Sequence, residues 1–116
     1  MTAYRTLLIA MFVGILAYTL VVGVNEGWNL LPVFFEGIVA LTWSGQFNFD
    51  FTCFLVMAGL WIAWRHHFSL GGIALGLLGT VGGILVVAPY LLVATFQAKG
   101  DLHMVLLGQK RAMELA

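Results

Sequence analysis

Charge is what this sequence has least of: 9% of its 116 residues are Asp, Glu, Lys or Arg, where a soluble globular domain carries about 25%. With 62% hydrophobic residues and a mean hydropathy of +1.03, the composition reads as that of an integral membrane protein. Five basic residues balance five acidic ones. That leaves no broad basic surface for nucleic acid or anionic substrates, and the nucleic-acid class falls away. A single cysteine, Cys53, excludes an internal disulfide, a thiolate metal cluster and a redox pair. Reaction motifs are missing too. Despite fourteen glycines there is no GxGxxG, no phosphate-binding Gly-Lys loop, no nucleophile elbow and no zinc-protease helix.

Long uncharged runs are present instead. Leu70 to Phe96 holds 27 residues without one charge, and as a helix it would reach roughly 40 Å, more than the roughly 30 Å of a hydrocarbon core. This predicts a span over 70–96, tilted or bent, with Pro89 releasing the carbonyl of Leu85 and bending it there. Gly72, Gly76, Gly79 and Gly83 recur at spacings of 4, 3 and 4, so they fall in one stripe of the helix, which Val86 and Tyr90 continue. Between lipid-facing helices such a smooth stripe lets a neighbouring backbone approach closely, which is how membrane helices gain contact energy.

A first span is expected over 5–24, retained and not cleaved, with Arg5 and Tyr4 as interfacial anchors. Ala10, Gly14 and Ala17 form its smooth face, the natural partner for the glycine stripe. The apolar run from Leu30 to Trp43 is short and carries Glu36, so an interfacial helix over 30–43, capped by Asn29, is expected there. Trp28 and Trp43 would sit at headgroup depth. A second span is expected over 49–65, opened by Asn48 or Asp50 as cap, with Gly59 on a further small-residue face. Trp61 and Trp64 begin an aromatic and basic belt that continues through Arg65, His66, His67 and Phe68. Past Gln97, Asp101 can cap an amphipathic helix over 101–113. The predicted fold is therefore all-α: one membrane domain over 1–116, a bundle of three transmembrane helices with an interfacial and a C-terminal helix.

Chemistry-bearing residues are few. His66 and His67 read as interfacial residents, the alternative being that one imidazole is an axial ligand to a porphyrin-type magnesium or iron. Glu36 and Asp50 would matter only as proton or ion sites inside the bilayer. Orientation stays open, with three crossings placing Arg5 and Arg65 on one side and Lys99, Lys110 and Arg111 on the other. The usual dominance of the first span favours the N-terminus inside.

Leu31-Pro32-Val33-Phe34-Phe35-Glu36, Phe47-Asn48-Phe49-Asp50-Phe51, the basic turn at Arg65 and Pro89-Tyr90-Leu91 together resemble a family of small bacterial inner-membrane proteins classed as a domain of unknown function, over residues 5–97. The resemblance implies an architecture and no activity. By build alone the chain is also similar to the three-helix accessory polypeptides beside photosynthetic reaction centres and light-harvesting rings. The expected function is a non-catalytic accessory subunit of a multi-pass inner-membrane complex, a photosynthetic assembly being the favoured host. Its partners would be other membrane subunits and lipids. No cofactor would be required, though bacteriochlorophyll, carotenoid or quinone tails would be in reach. A small oligomeric transporter or proton-linked channel using Glu36 and Asp50 is the alternative.

Overall fold

The computed structural model describes residues 1–115, of Leu115 the backbone only, and is helical throughout. Seven helices follow one another: α1 (Thr2–Glu26), α2 (Leu30–Val39), α3 (Trp43–Arg65), α4 (Leu70–Gly82), α5 (Ile84–Gln97), α6 (Leu102–Leu107) and α7 (Gln109–Leu115). Two of them, α1 and α3, are long and apolar enough to cross a membrane. At 25 and 23 residues they measure about 37 and 34 Å.

The expected span over 70–96 is two helices, not one. The chain breaks at Gly83, whose φ of 60° and ψ of −143° suit glycine alone. After the break it turns back. Val87 Cγ2 would lie 3.5 Å from a Cβ placed on Gly79, and the Tyr90 hydroxyl reaches the Arg65 guanidinium at 3.0 Å. A straight continuation would have carried Tyr90 away from Arg65, because Gly83 itself sits beside Phe51 and Leu55, ten or more residues down α3. So α4 runs down α3 from the His66 turn to a Gly82–Gly83 apex, and α5 returns to the end from which α4 set out. Pro89 lies inside α5; the expected bend falls six residues earlier, where the glycine pair removes both the side chains and the φ restriction.

The glycine stripe meets α3 and not, as expected, α1. A Cβ on Gly59 would fall 2.7 Å from Gly76 O, and one on Gly76 would fall 2.5 Å from Gly59 O. The two backbones therefore touch. Thr80 Oγ1 reinforces the crossing, donating to Gly76 O at 2.9 Å with Leu55 O at 3.3 Å. Gly72 and Gly79 are buried along the same seam, the first against His66 and the second against Ile62. Gly83 serves as the break and not as part of the stripe.

Helix α1 packs antiparallel on α5 through its Leu8 side. Arg5 Nε donates to the fully buried Thr95 Oγ1 at 3.0 Å, its Nη2 donates to Thr95 O at 3.1 Å, and the guanidinium lies 4.1 Å from the centre of the Phe96 ring. Ala10, Gly14 and Ala17 are exposed, and nothing lies within 4 Å of a Cβ on Gly14. Among the described residues that face has no partner.

Further boundaries shift for local reasons. Helix α3 begins at Trp43, because Thr42 caps it by accepting from Gly45 N at 3.2 Å. Asn48 and Asp50 are thus interior to the helix and cap nothing. Asn48 Nδ2 instead donates to Phe34 O at 3.2 Å, tying α3 to α2. The short helix stops at Val39, before Trp43, and Asn29 precedes it without a side-chain cap bond. Beyond Ala98 the expected helix over 101–113 is divided at Gly108, φ 82°. A Cβ there would meet Arg65 O at 2.7 Å. Asp101 does cap α6, accepting from His103 N at 3.0 Å.

Candidate functional site

Because α5 returns, one end of the molecule collects the N-terminus of α1, the α3–α4 turn and everything after Gln97. All five of the chain's basic residues, Arg5, Arg65, Lys99, Lys110 and Arg111, gather at that end. Glu26, Glu36 and Asp50 lie towards the other, while Asp101 and Glu114 share the basic end. The balanced composition conceals a molecule whose lysines and arginines all share one end.

Arg65 is the hub. As the last residue of α3 it stands where a cation favours the negative end of the helix dipole. Its Nε donates to Val105 O at 2.7 Å, Nη1 to the Tyr90 hydroxyl at 3.0 Å and Nη2 to Met104 O at 3.1 Å. The two carbonyls belong to the last turn of α6, so one guanidinium holds α3, α5 and α6 together. Val105 is fully buried beneath it. Of the five N–H donors of an arginine, one on each terminal nitrogen is still free.

The Tyr90 hydroxyl also lies 2.6 Å from His66 Nε2. Arginine can only donate, so the phenol accepts from Arg65 and passes its own proton towards His66. That assignment makes the imidazole neutral, accepting at Nε2 and carrying its proton on Nδ1, a tautomer assigned by the network and not observed. Desolvation agrees with this assignment. Partial burial, then the positive charge of Arg65, then His67, hold the His66 pKa below the usual histidine value. His67 has a left-handed backbone, φ 56°, and an exposed side chain.

Around this hub a cleft of about 600 Å³ is lined by Arg65, His66, His67, Gln97, Gln109 and Lys110, with Ala98, Met104 and Gly108 as its apolar part. Among the described residues no carboxylate lines it. The two tryptophans of the belt brace its roof. Trp61 Nε1 donates to Leu106 O at 2.9 Å, and its ring packs edge-on to Tyr90 at 6.2 Å. Trp64 lies under Arg111, 4.1 Å from guanidinium to ring centre, and its carbonyl accepts from the same side chain. At the opposite end Trp28 folds back over Gly23, and Trp43 is the exposed first residue of α3.

The sequence-predicted candidates are thus scattered. His66 Nε2 is engaged by Tyr90, so an axial metal bond from that nitrogen would first have to break the network. His66 and His67 stand in a turn and not on a shared helix. Among the described residues no group of three or more His, Cys, Asp or Glu side chains converges as a metal would require. Asp50 lines a second, mainly apolar cleft of about 660 Å³ between α2 and α3, with Ile38, Thr42, Gly45 and Cys53. Glu36 is exposed and outside it. Sequence reasoning missed Tyr90 as a polar partner, Gly108 as a hinge and Lys110 as a cleft residue. The one available signal was a phenol directly after Pro89 in an otherwise apolar run.

No family model, no curated protein and no solved structure matches this chain, so the resemblance drawn above rests on its own residues.

Proposed function

We propose that the chain is a non-catalytic accessory subunit of an inner-membrane complex, inserted by α1 and α3 with α4–α5 as a hairpin that enters the membrane and leaves on the same side. The observation that carries the subunit reading is the uncovered face of α1. Small residues gain contact energy in a bilayer only when another helix lies against them, and Ala10, Gly14 and Ala17 have none. The hairpin apex adds to the argument. Among the described residues nothing accepts from the N–H groups of Ile84 or Leu85, and free backbone groups at membrane depth are tolerated only against protein or water.

Orientation follows from the same geometry. With the hairpin, Lys99, Lys110 and Arg111 join Arg5 and Arg65, and an end holding every lysine and arginine belongs in the cytoplasm. Both termini are then inside. A photosynthetic reaction-centre and light-harvesting assembly is the proposed host on likeness of build alone, and His66, already bonded to Tyr90, adds no argument for a pigment ligand.

Gly14→Leu tests the subunit reading. Its side chain enters open space, so the thermal midpoint of the isolated protein in mild detergent should stay within about 2 °C of wild type. On native gels of solubilised membranes the variant should leave the high-mass band that wild type occupies. An unchanged band, or a wild type that runs only as the isolated chain, would overturn it. A second reading, a small oligomeric proton-linked transporter, is favoured by the placement of Asp50 inside α3 beside a cleft. Proton movement in liposomes that Asp50→Asn abolishes would establish it, and Glu36→Gln serves as the companion variant.

A further inference from the structure

We infer that the basic cleft at the cytoplasmic end holds the phosphate group of one anionic phospholipid, with an acyl chain in the groove between α3 and α4. The Arg65 guanidinium and the Lys110 ammonium, with the imidazoles of His66 and His67 and the amides of Gln97 and Gln109, face a space of about 600 Å³ that, among the described residues, no carboxylate lines. Two fixed cations, Arg65 and Lys110, facing one cleft repel each other, and an anion between them relieves that repulsion. Arg65 is fixed by three bonds and keeps one free N–H on each terminal nitrogen, the donor geometry that phosphate oxygens match. His66, with Nε2 accepting from Tyr90, retains a donor at Nδ1. His67 and Lys110 are exposed at the mouth.

The groove argues for a lipid over free phosphate. Next to His67, Phe68 heads a furrow of about 300 Å³ lined by Val56, Leu60, Ala63, Ile73 and Leu77, with Gly59, Gly76 and Thr80 at its floor. Its width comes from the glycines that bring α3 and α4 backbone to backbone. A cationic pocket at one end of an apolar furrow is complementary to a headgroup above a hydrocarbon tail. The inference rests on the membrane reading but not on the subunit reading.

Delipidated protein in mild detergent, titrated with phosphatidylglycerol, phosphatidylcholine or inorganic phosphate and followed by native mass spectrometry, tests it. The double variant His67→Asn with Lys110→Gln removes the Lys110 ammonium and the His67 imidazole, side chains that make no hydrogen bond among the described residues, and asparagine tolerates the left-handed backbone at position 67. Wild type should retain one phosphatidylglycerol at least about tenfold more tightly than phosphatidylcholine, and the double variant should lose most of that preference, charge-assisted contacts being worth about that much each. Equal retention of the two lipids, or undiminished preference in a variant with an unchanged thermal midpoint, overturns the site. Inorganic phosphate competing as well as phosphatidylglycerol overturns the acyl-chain half. Should the double variant fold poorly, Lys110→Glu alone must weaken phosphatidylglycerol binding. Failure in a protein that still fractionates with membranes counts against the site and leaves the membrane reading standing.

Discussion

Arg65 shows how much one residue carries at the meeting of three helices. Its guanidinium replaces, for α6, the packing that a six-residue helix cannot supply by itself. Tyr90→Phe keeps the ring and removes only the hydroxyl that links Arg65 to His66, so it should lower stability by about 1.5 kcal/mol, the cost of a hydrogen bond to a charged group. Thermal unfolding of the purified protein measures it, and wild-type stability would contradict the network. His66 makes a pH prediction of definite sign. Its pKa is lower in the folded protein than in the unfolded chain, so the unfolded state binds more protons between the two values, and stability must fall as pH drops from about 6.5 through the depressed native value. His66→Gln should flatten that part of the profile. A wild-type midpoint that rises on acidification over the same range would be the wrong sign for a neutral, phenol-bonded imidazole.

At the scale of elements, glycine does two different jobs, and their sequence spacing does not tell them apart. Gly76 is a contact: Gly76→Leu drives a side chain into the Gly59 carbonyl and should cost about 3 kcal/mol or more, while Leu77→Ala, at an exposed position on the same helix, should cost well under half of that. Gly83 is a hinge, and Gly83→Ala should cost about 1–3 kcal/mol through its backbone angles alone. The long uncharged run was legible as helix, as were the two spanning candidates, because apolar length and periodicity are local properties. Turning back at Gly83 was not. A Gly82–Gly83 pair inside an apolar helix is read locally as smooth surface, and only the non-local bonds from Tyr90 to Arg65 and His66 decide that the chain reverses. Thr42 beat Asn48 and Asp50 as the α3 cap for a similar reason: all three types can cap, and packing of Gly37 on Gly45 selects the first. The basic cleft needed the reversal, since its residues come from segments that three straight spans would have put on opposite sides.

For the whole molecule, the reversal at Gly83 changes two long helices and a third span into two long helices flanked by a hairpin, and it turns an ambiguous charge pattern into a polar one. Every lysine and arginine then shares an end of the molecule with the N-terminus, in company with Asp101 and Glu114, and the segment from Gly27 to Thr42, which contains Glu36, lies at the other end beside Glu26. The cleft, the orientation and the free face of α1 all depend on that reversal. Single cysteines in a Cys53→Ser background, introduced as Gly27→Cys, Phe47→Cys, His67→Cys and Lys99→Cys and labelled with a membrane-impermeant maleimide in sealed right-side-out and inverted vesicles, read it directly. Positions 67 and 99 should label together from the cytoplasmic face, and 27 and 47 together from the opposite face; labelling of 67 and 99 from opposite faces would mean that residues 70–96 cross the membrane, and would contradict the hairpin.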